Sequence, residues 1–316
     1  MKELILNKMP SPTWSWLKMN SAKLSLDSDI NLEEEKTVEI TVKKGEKTEK
    51  PLVIRNNFTD GKNVQTQQII KTEENAEITV IIVSSSEKNS SGFNFLKTEL
   101  HASPYSKINL IKVQMLGENF IQVDETNGFA DDSAEIEVTH VILGGEKTYI
   151  SVSSDLKGYK SGFKSDTGYF SSKNQILDMN YVVNHFGKKT SSLMNVYGSL
   201  KDEAKKTYRG TIDLKNGASG AVGEEQEDVL LLSENVVNNS IPVILCTEED
   251  VQGEHGATIG RIAEDTLLYM QSRGIGKDEC EKLLSRSKVQ RVANKITDEN
   301  ILNETNKFMD ELFGVN

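Results

Sequence analysis

The chain has 316 residues, a formal net charge of -11 at pH 7 and two cysteines, and these numbers exclude several classes of protein. The acidic surplus disfavours nonspecific binding of nucleic acid or of an anionic membrane, because both need clustered lysine and arginine. Two cysteines are typical of a reducing compartment and cannot hold a metal cluster by thiolates alone. The sequence has no signal-peptide pattern and no long apolar run, and we expect a cytoplasmic protein.

Residues 1–35 are predicted to be an N-terminal segment that precedes the main body. The segment holds both tryptophans of the chain, Trp14 and Trp16. Two tryptophans so close together could anchor a partner, since aromatic side chains often dominate interfaces. Packing of the segment onto the rest of the chain is the simpler interpretation, because tryptophan is usually buried within its own protein.

Residues 36–248 are predicted to form a β-rich core. Short segments here alternate apolar and polar residues, which is typical of strands with one buried face. The predicted strands cover residues 37–43, 77–83, 107–115, 134–143, 147–153, 175–183, 192–197 and 206–214. The gaps leave no room for the crossover helices of a doubly wound α/β fold. The acidic stretch from Glu224 to Asp228 is interpreted as a solvated turn.

Two architectures are compatible with this pattern of strands. One is a sandwich or barrel of antiparallel strands, and the other is a β-helix whose coils stack their strands in parallel. The residues alone do not decide between them, because no repeat of fixed length is visible.

Residues 249–316 combine a glycine-rich motif with three predicted helices. The first helix covers residues 263–273, and Gly274 is expected to end it. The second covers residues 277–295. Thr297 is expected to cap the third helix, which has a clear apolar face. The positions on that face are Ile301, Thr305, Phe308, Met309 and Leu312.

One stretch of this region carries a family resemblance. The sequence ILCTEEDVQGEHGATIGRIAEDTLLYMQSRGI, residues 244–275, places His255 between two glycines. It resembles the C-terminal motif of the SufB and SufD proteins, which assemble iron-sulfur clusters together with the ATPase SufC. The segments NHFGKKTSS at 184–192 and KKTYRG at 205–210 are similar to the same family. The resemblance implies a mainly β protein with a right-handed parallel β-helix core and a C-terminal α-helical segment.

The resemblance also implies a role for His255. Both branches of the family carry a histidine in this motif at the subunit interface, so His255 is a candidate ligand for iron or a cluster. Because of the flanking glycines, we expect it on a sharply turning loop. SufB-type chains have a cysteine at the position of Val236 and a glutamate at that of Gly256, so this chain is closest to a short SufD-type subunit. It is expected to hold no cofactor stably by itself, and to bind iron or an iron-sulfur cluster transiently in the assembled complex.

The partners implied by the resemblance are a SufB-type subunit and the SufC ATPase, whereas neither nucleic acid nor a membrane is expected as a partner. The SufC contact is expected on the first helix and just after it, at Leu267, Leu268, Met270, Arg273, Gly274 and Ile275. Such a subunit supports cluster assembly without being an enzyme, and the sequence contains no P-loop. The family is also expected to carry a helical domain before the β-helix, of which this sequence holds almost none.

Two other functions stay open at this point. A SufB-like homodimer would build the scaffold from two copies of this chain, although Val236 stands where its cysteine is expected. An enzyme acting on polysaccharides is a less favoured alternative, because only 6% of the residues are aromatic and could stack on sugars.

The cysteines and the remaining histidines are interpreted as structural. Cys246 ends an apolar run and Cys280 lies on the apolar side of a predicted helix, so both thiols are expected to be buried and inert. His101, His140 and His185 lie far apart in strand-like segments. No His-x-x-x-His or Cys-x-x-Cys spacing indicates a zinc site.

Overall fold

The structure, a computed structural model, describes residues 2–13, 15–26, 32–34 and 37–314. Over these residues a long series of strands is followed by three helices. The strands are β1 (Lys2–Leu6), β2 (Ala22–Leu26), β3 (Glu33–Glu34), β4 (Val38–Val42), β5 (Leu52–Phe58), β6 (Lys62–Thr72), β7 (Glu77–Ser86), β8 (Ser91–Ala102), β9 (Lys107–Leu116), β10 (Asn119–Ala130), β11 (Glu135–Gly144), β12 (Lys147–Leu156), β13 (Gly162–Ser171), β14 (Ile176–His185), β15 (Ser191–Leu200), β16 (Lys205–Leu214), β17 (Val222–Leu231), β18 (Val237–Cys246) and β19 (Gln252–Gly260). The helices are α1 (Glu264–Ser272), α2 (Lys277–Ala293) and α3 (Glu299–Phe313), and Ser15–Leu17 forms a short 3-10 helix.

From β3 onward the strands form a parallel β-helix of about 8 turns. One sheet contains β3, β4 and the even-numbered strands from β6 to β18, and the other contains the odd-numbered strands from β5 to β19. Each central strand pairs in parallel with the strands two places before and after it, as β10 does with β8 and β12. The predicted fold class is confirmed: a mainly β protein with a parallel β-helix core and a C-terminal helical segment. Every predicted strand segment lies on a strand of the two sheets.

Parallel pairing stacks the side chains of successive coils into columns that run along the β-helix. Ile108, Ile136 and Phe163 form one such column and are buried between the two sheets. Because alternate residues of a strand point to the same side, each strand contributes several side chains to this interior. The inward-facing apolar residues from β4 to β17 join in one continuous cluster. Burial of this cluster is the main force that holds the coils together.

Helices α2 and α3 cover the outer face of the odd-numbered sheet. Val292 of α2 and Phe313 of α3 are buried there in one cluster with strand residues. The ring of Phe313 lies 4.6 Å from that of Phe170, between centroids. Gly168 lets α2 approach the sheet, because a Cβ atom at this position would lie 2.9 Å from the Cβ atom of Val292. These two helices therefore pack along the side of the β-helix and leave its end uncovered.

Asp298 is the N-cap of α3, so the prediction that Thr297 caps this helix is wrong. The Asp298 carboxylate accepts hydrogen bonds from the backbone N–H groups of Asn300 at 3.0 Å and Ile301 at 3.1 Å. Aspartate has an advantage over threonine here, because its negative charge also interacts favourably with the positive end of the helix dipole.

The N-terminal segment packs on the outer face of the even-numbered sheet. Strands β1 and β2 pair as an antiparallel hairpin, and Leu24 joins a buried cluster with Phe93 and Tyr149. Trp16 takes no part in this packing, because 79% of its surface is exposed. The predicted packing is therefore wrong for Trp16, and Trp14 lies outside the described residues.

Strand β19 lies within residues 249–316, so this segment begins as the last strand of the β-helix. The division of the chain after residues 35 and 248 stays a prediction. Among the residues that the structure describes, no helix has both the length and the apolar character needed to cross a membrane.

Candidate functional site

The last coil of the β-helix leaves an open end. Within the described residues, β18 pairs only with β16 and β19 pairs only with β17. Apolar side chains are partly exposed on this coil, among them Val237, Ile244 and Ile259. An unpaired strand edge with exposed apolar residues is a template for association with another chain.

His255 lies in strand β19 at this open end, so the predicted loop is wrong. Gly253 and Gly256 both lie within this strand, and neither forms a turn. A Cβ atom at the inward-facing Gly253 would lie 3.0 Å from Cγ2 of Ile244, whereas one at Gly256 would meet nothing within 4 Å. The strand register pairs His255 with Glu225 of β17. Its ring is therefore at an inward-facing position of the last coil, exposed because no described strand covers it.

The interior of the coil beneath His255 is polar. Glu225 is only 3% exposed, and Glu227 is equally buried. Among the described residues, the buried ammonium group of Lys206 pairs with Glu227 and not with Glu225, and Ser240 donates a second hydrogen bond to Glu227. Burial, assisted by the negative charge of Glu227, raises the pKa of Glu225 to about 7. Among the described residues, this coil thus holds one carboxylate in a direct ion pair, Glu227, and one carboxyl group, Glu225, that interacts with the Tyr208 hydroxyl and with the charge of Lys206 but forms no direct ion pair.

Gly210 provides the space that the Glu225 carboxyl group occupies. A Cβ atom at Gly210 would lie 2.3 to 2.5 Å from the carboxyl atoms of Glu225, closer than any real contact allows. Gly210 and Tyr208 belong to the KKTYRG segment, to which the sequence assigned no specific function. This segment therefore shapes the interior below the open end.

Residues 224–228 lie in β17, so their interpretation as a solvated turn is wrong. Glu225 and Glu227 point into the β-helix, while Glu224 is exposed on the outside. Two glutamates at a spacing of two residues are the signal that could have revealed a strand, because side chains at this spacing share one face.

The two cysteines have different surroundings. Cys280 is buried in α2, as predicted. Cys246 is exposed, so the prediction that it is buried is wrong. Leu214 precedes it in the same column and is buried because β18 covers it, but no described strand covers Cys246 in turn. The Cys246 thiol donates a hydrogen bond to the carbonyl oxygen of Glu248, at 3.0 Å.

His185 and His140 are buried and hydrogen-bonded, in agreement with their structural interpretation. Nδ1 of His185 lies 2.8 Å from Oγ1 of Thr190, and Nε2 lies 2.9 Å from Oγ of Ser192. Burial lowers the pKa of His185 to about 4. Nδ1 of His140 lies 3.1 Å from the hydroxyl oxygen of Tyr181. Both histidines belong to the interior of the β-helix and are remote from solvent.

Helix α1 and the residues just after it carry the predicted contacts with the ATPase. None of the residues of α1 is buried. Leu268 is 63% exposed. Gly274 follows the helix in the left-handed conformation, with φ at 84°, and ends it as predicted. The predicted contact residues are all partly or fully exposed: Leu267, Leu268, Met270, Arg273, Gly274 and Ile275. Helix α1 therefore presents apolar side chains to solvent, and its function in docking stays a prediction.

Comparison with known proteins agrees with this architecture. Residues 54–288 match the family described as SUF system FeS cluster assembly, SufBD core domain. The chain belongs to the SufBD family. It is 32% identical over 174 residues to the iron-sulfur cluster assembly protein SufD of Bacillus subtilis, a match that covers 55% of this chain and 37% of that protein. It is 23% identical over 270 residues to SufD of Escherichia coli, with 83% of this chain and 63% of that protein covered. The chain thus spans less than two thirds of the length of these SufBD relatives.

The side chains at the open end provide only part of the donor set that a metal ion or an iron-sulfur cluster needs. Within the described residues, no group of three or more His, Cys, Asp or Glu side chains is arranged to hold a metal ion. The side chains with donor atoms here are the exposed ring of His255 and, beneath it, the buried carboxyl group of Glu225. A complete site would therefore need donors from outside this chain.

Proposed function

We propose that this chain is a SufD-type, non-catalytic subunit of a scaffold for iron-sulfur cluster assembly. It pairs with a SufB-type subunit through the open end of its β-helix and with the ATPase SufC through α1. The observation that carries the proposal is the position of His255, exposed at the open end on the edge strand β19, which pairs only with β17 among the described residues. Iron or the nascent cluster is held there transiently, and only in the assembled complex.

The open end suits a partner that completes both an interface and a metal site. Neutral imidazole is a good ligand for iron, and an edge strand can bring it against a second subunit. The exposed apolar side chains of the last coil would be buried by such a partner. Since the described residues provide no third donor at the site, we assign the thiolate ligands to the SufB-type subunit. Both cysteines of this chain are free thiols, which agrees with a cytoplasmic location.

Helix α1 suits the contact with SufC because none of its residues is buried and its apolar residue Leu268 is 63% exposed. A few apolar anchors on a helix, such as Leu268 and Met270, are sufficient for docking into a groove of another protein. The connection from α1 to α2 contains Gly274 and Gly276, which allow the backbone to change direction. Through this connection, α1 can follow the ATPase while the β-helix stays rigid.

Gel filtration of the purified proteins tests the assembly. The chain, a SufB-type subunit and SufC are expected to elute together at micromolar concentration. The chain alone is expected to hydrolyse no ATP, because its glycine-rich segment Gly217–Gly223 lacks the lysine and the serine or threonine of a P-loop. Separate elution of the three proteins would contradict the proposal. Elution of the chain as a dimer that excludes the SufB-type subunit would favour the SufB-like homodimer.

A substitution on α1 tests the SufC contact. Leu268→Asp is expected to weaken SufC binding by about tenfold or more, because loss of an interface anchor typically costs more than about 1 kcal/mol. Gln271→Asp adds the same charge to the same helix and is expected to bind SufC like the wild type. Because Leu268 is exposed in the free chain, circular dichroism is expected to show an intact fold for both variants. Unchanged SufC affinity of Leu268→Asp would remove α1 from the interface.

The other functions have less support. A homodimeric scaffold would have Val236 where its cysteine is expected, and valine does not coordinate iron. The exposed thiol of Cys246, on the last coil, donates a hydrogen bond to the carbonyl oxygen of Glu248. Membership in the SufBD family favours cluster assembly over an enzyme that acts on polysaccharides.

A further inference from the structure

We propose that Glu225 is a second metal donor of this chain and forms, together with His255, a two-ligand half-site for a divalent cation such as ferrous iron. The inference rests on the proposed function and deepens it, because it adds a carboxylate to the imidazole at the same open end. The SufB-type partner then supplies the remaining donors.

The strand register places the two side chains in contact range. Glu225 and His255 are direct partners of the parallel pair β17 and β19. Backbones of neighbouring strands lie about 4.8 Å apart, and paired residues point to the same side. Both residues occupy inward-facing positions, since Gly253, two residues before His255, faces Ile244 across the interior. The ring therefore lies one coil above the Glu225 side chain, with no residue between them in the column.

The register places the two side chains at neighbouring positions of one column, one coil apart. No direct hydrogen bond or ion pair joins the Glu225 carboxyl group to the His255 ring among the described contacts. Two donors on one metal ion do not need such a bond, because each reaches the metal at about 2 Å from its own side. A cation between the ring and the carboxylate would satisfy both groups.

The carboxyl group of Glu225 is held ready in a prepared space. It is almost fully buried, and Lys206, the nearby cation, is bound to Glu227. The space exists only because residue 210 is a glycine. The neighbouring Tyr208 hydroxyl interacts with this carboxyl group as an uncharged hydrogen-bond donor. Among the described residues, Glu227 forms a direct ion pair with Lys206, whereas Glu225 forms none and is held by the Tyr208 hydroxyl. A cation that binds at Glu225 would therefore neutralise a buried charge that Lys206 does not pair directly.

Access to this half-site is from the open end alone. His255 is exposed and Glu225 lies one coil deeper, so a cation that enters meets the imidazole first and the carboxylate second. Imidazole and carboxylate together are a donor set that ferrous iron accepts, and two protein donors leave positions for the partner's ligands.

Cobalt(II) binding to the purified chain tests the half-site without any partner. The ring signals of His255 are followed by NMR during a cobalt titration, after selective labelling of the histidines and assignment with His255→Ala. Glu225→Gln is expected to bind cobalt about tenfold more weakly than the wild type, the usual size of the effect when one supporting group of a metal site is lost. Glu224→Gln removes the same charge from the adjacent, outward-facing residue and is expected to bind like the wild type.

The outcomes separate this inference from the proposed function. Equal cobalt affinity of the wild type and Glu225→Gln would overturn the half-site, whatever the assembled complex does. Glu225→Asp keeps a carboxylate and is expected to bind cobalt more tightly than Glu225→Gln. If Glu225→Gln does not fold, Glu225→Asp is compared with the wild type in its place. Weakened cobalt binding in Glu225→Gln, combined with full iron content of the complex in His255→Ala, would support the half-site and overturn the proposed function.

Discussion

Acid is expected to destabilise this protein through His185. Burial lowers the pKa of this residue from 6.5 to about 4. The ring is fully buried and hydrogen-bonded to Thr190 and Ser192. The unfolded chain therefore takes up a proton on His185 at a higher pH than the folded chain does. Stability is lost as the pH falls from 6.5 towards 4, by about 3 kcal/mol in total at about 1.4 kcal/mol per pKa unit.

Urea unfolding, followed by far-ultraviolet circular dichroism at neutral pH and near pH 4, measures this loss in the wild type and in His185→Gln. Glutamine stays uncharged at both pH values and can bond to the same hydroxyl groups. The wild type is expected to lose about 3 kcal/mol more on acidification than the variant, since carboxylate titration is common to both proteins. Equal losses would show that the fold does not hold His185 in its neutral form, and would refute this reasoning.

Two pairs of variants test the packing near the open end and in α2. Gly210→Ala is expected to destabilise the fold by about 1 to 3 kcal/mol, because the new methyl group meets the Glu225 carboxyl group, whereas Gly256→Ala is expected to stay within about 0.5 kcal/mol. Similar urea midpoints for both glycine variants would contradict the close packing at Gly210. Cys280→Ser is expected to cost about 1 to 3 kcal/mol, because it places a hydroxyl group in an apolar site, while the exposed Cys246→Ser is expected to be neutral. A larger loss in thermal stability for the Cys246 variant than for the Cys280 variant would contradict the open end.

The sequence predicted strands wherever the inward-facing side chains are apolar. Strands β7, β9 and β11 each begin with four residues that alternate polar and apolar, EITV, KINL and EIEV, and were predicted. Strand β10 was not predicted, because polar residues at three of its inward-facing positions remove the alternation. These residues are Gln122, Asp124 and Thr126. Such polar side chains are tolerated in this interior because they bond across it: the Lys112 ammonium group donates to Asp124 at 2.5 Å and to Thr126 at 2.8 Å.

The residues alone could not decide for the β-helix, because the columns do not repeat one residue type. A single inward-facing column contains apolar, polar and charged side chains: Leu110, Val138, Ser165, Met194, Glu225 and His255. The family resemblance supplied what the periodicity lacked. The sequence also could not predict which side chains of the last coil are exposed. Cys246 and Leu214 occupy the same column, and Cys246 is exposed because no described strand lies above it.

Iron and sulfide content per assembled complex is the most direct test of the central claim, that His255 serves cluster assembly at the open end. The complex with a SufB-type subunit and SufC is purified after anaerobic co-expression of the wild type, His255→Ala and Glu254→Ala. His255→Ala is expected to assemble normally but to hold less iron and sulfide than the wild type. Glu254→Ala, on the outward face of the same strand, is expected to hold the wild-type amount. An intact His255→Ala complex with wild-type iron and sulfide would contradict this account of the site.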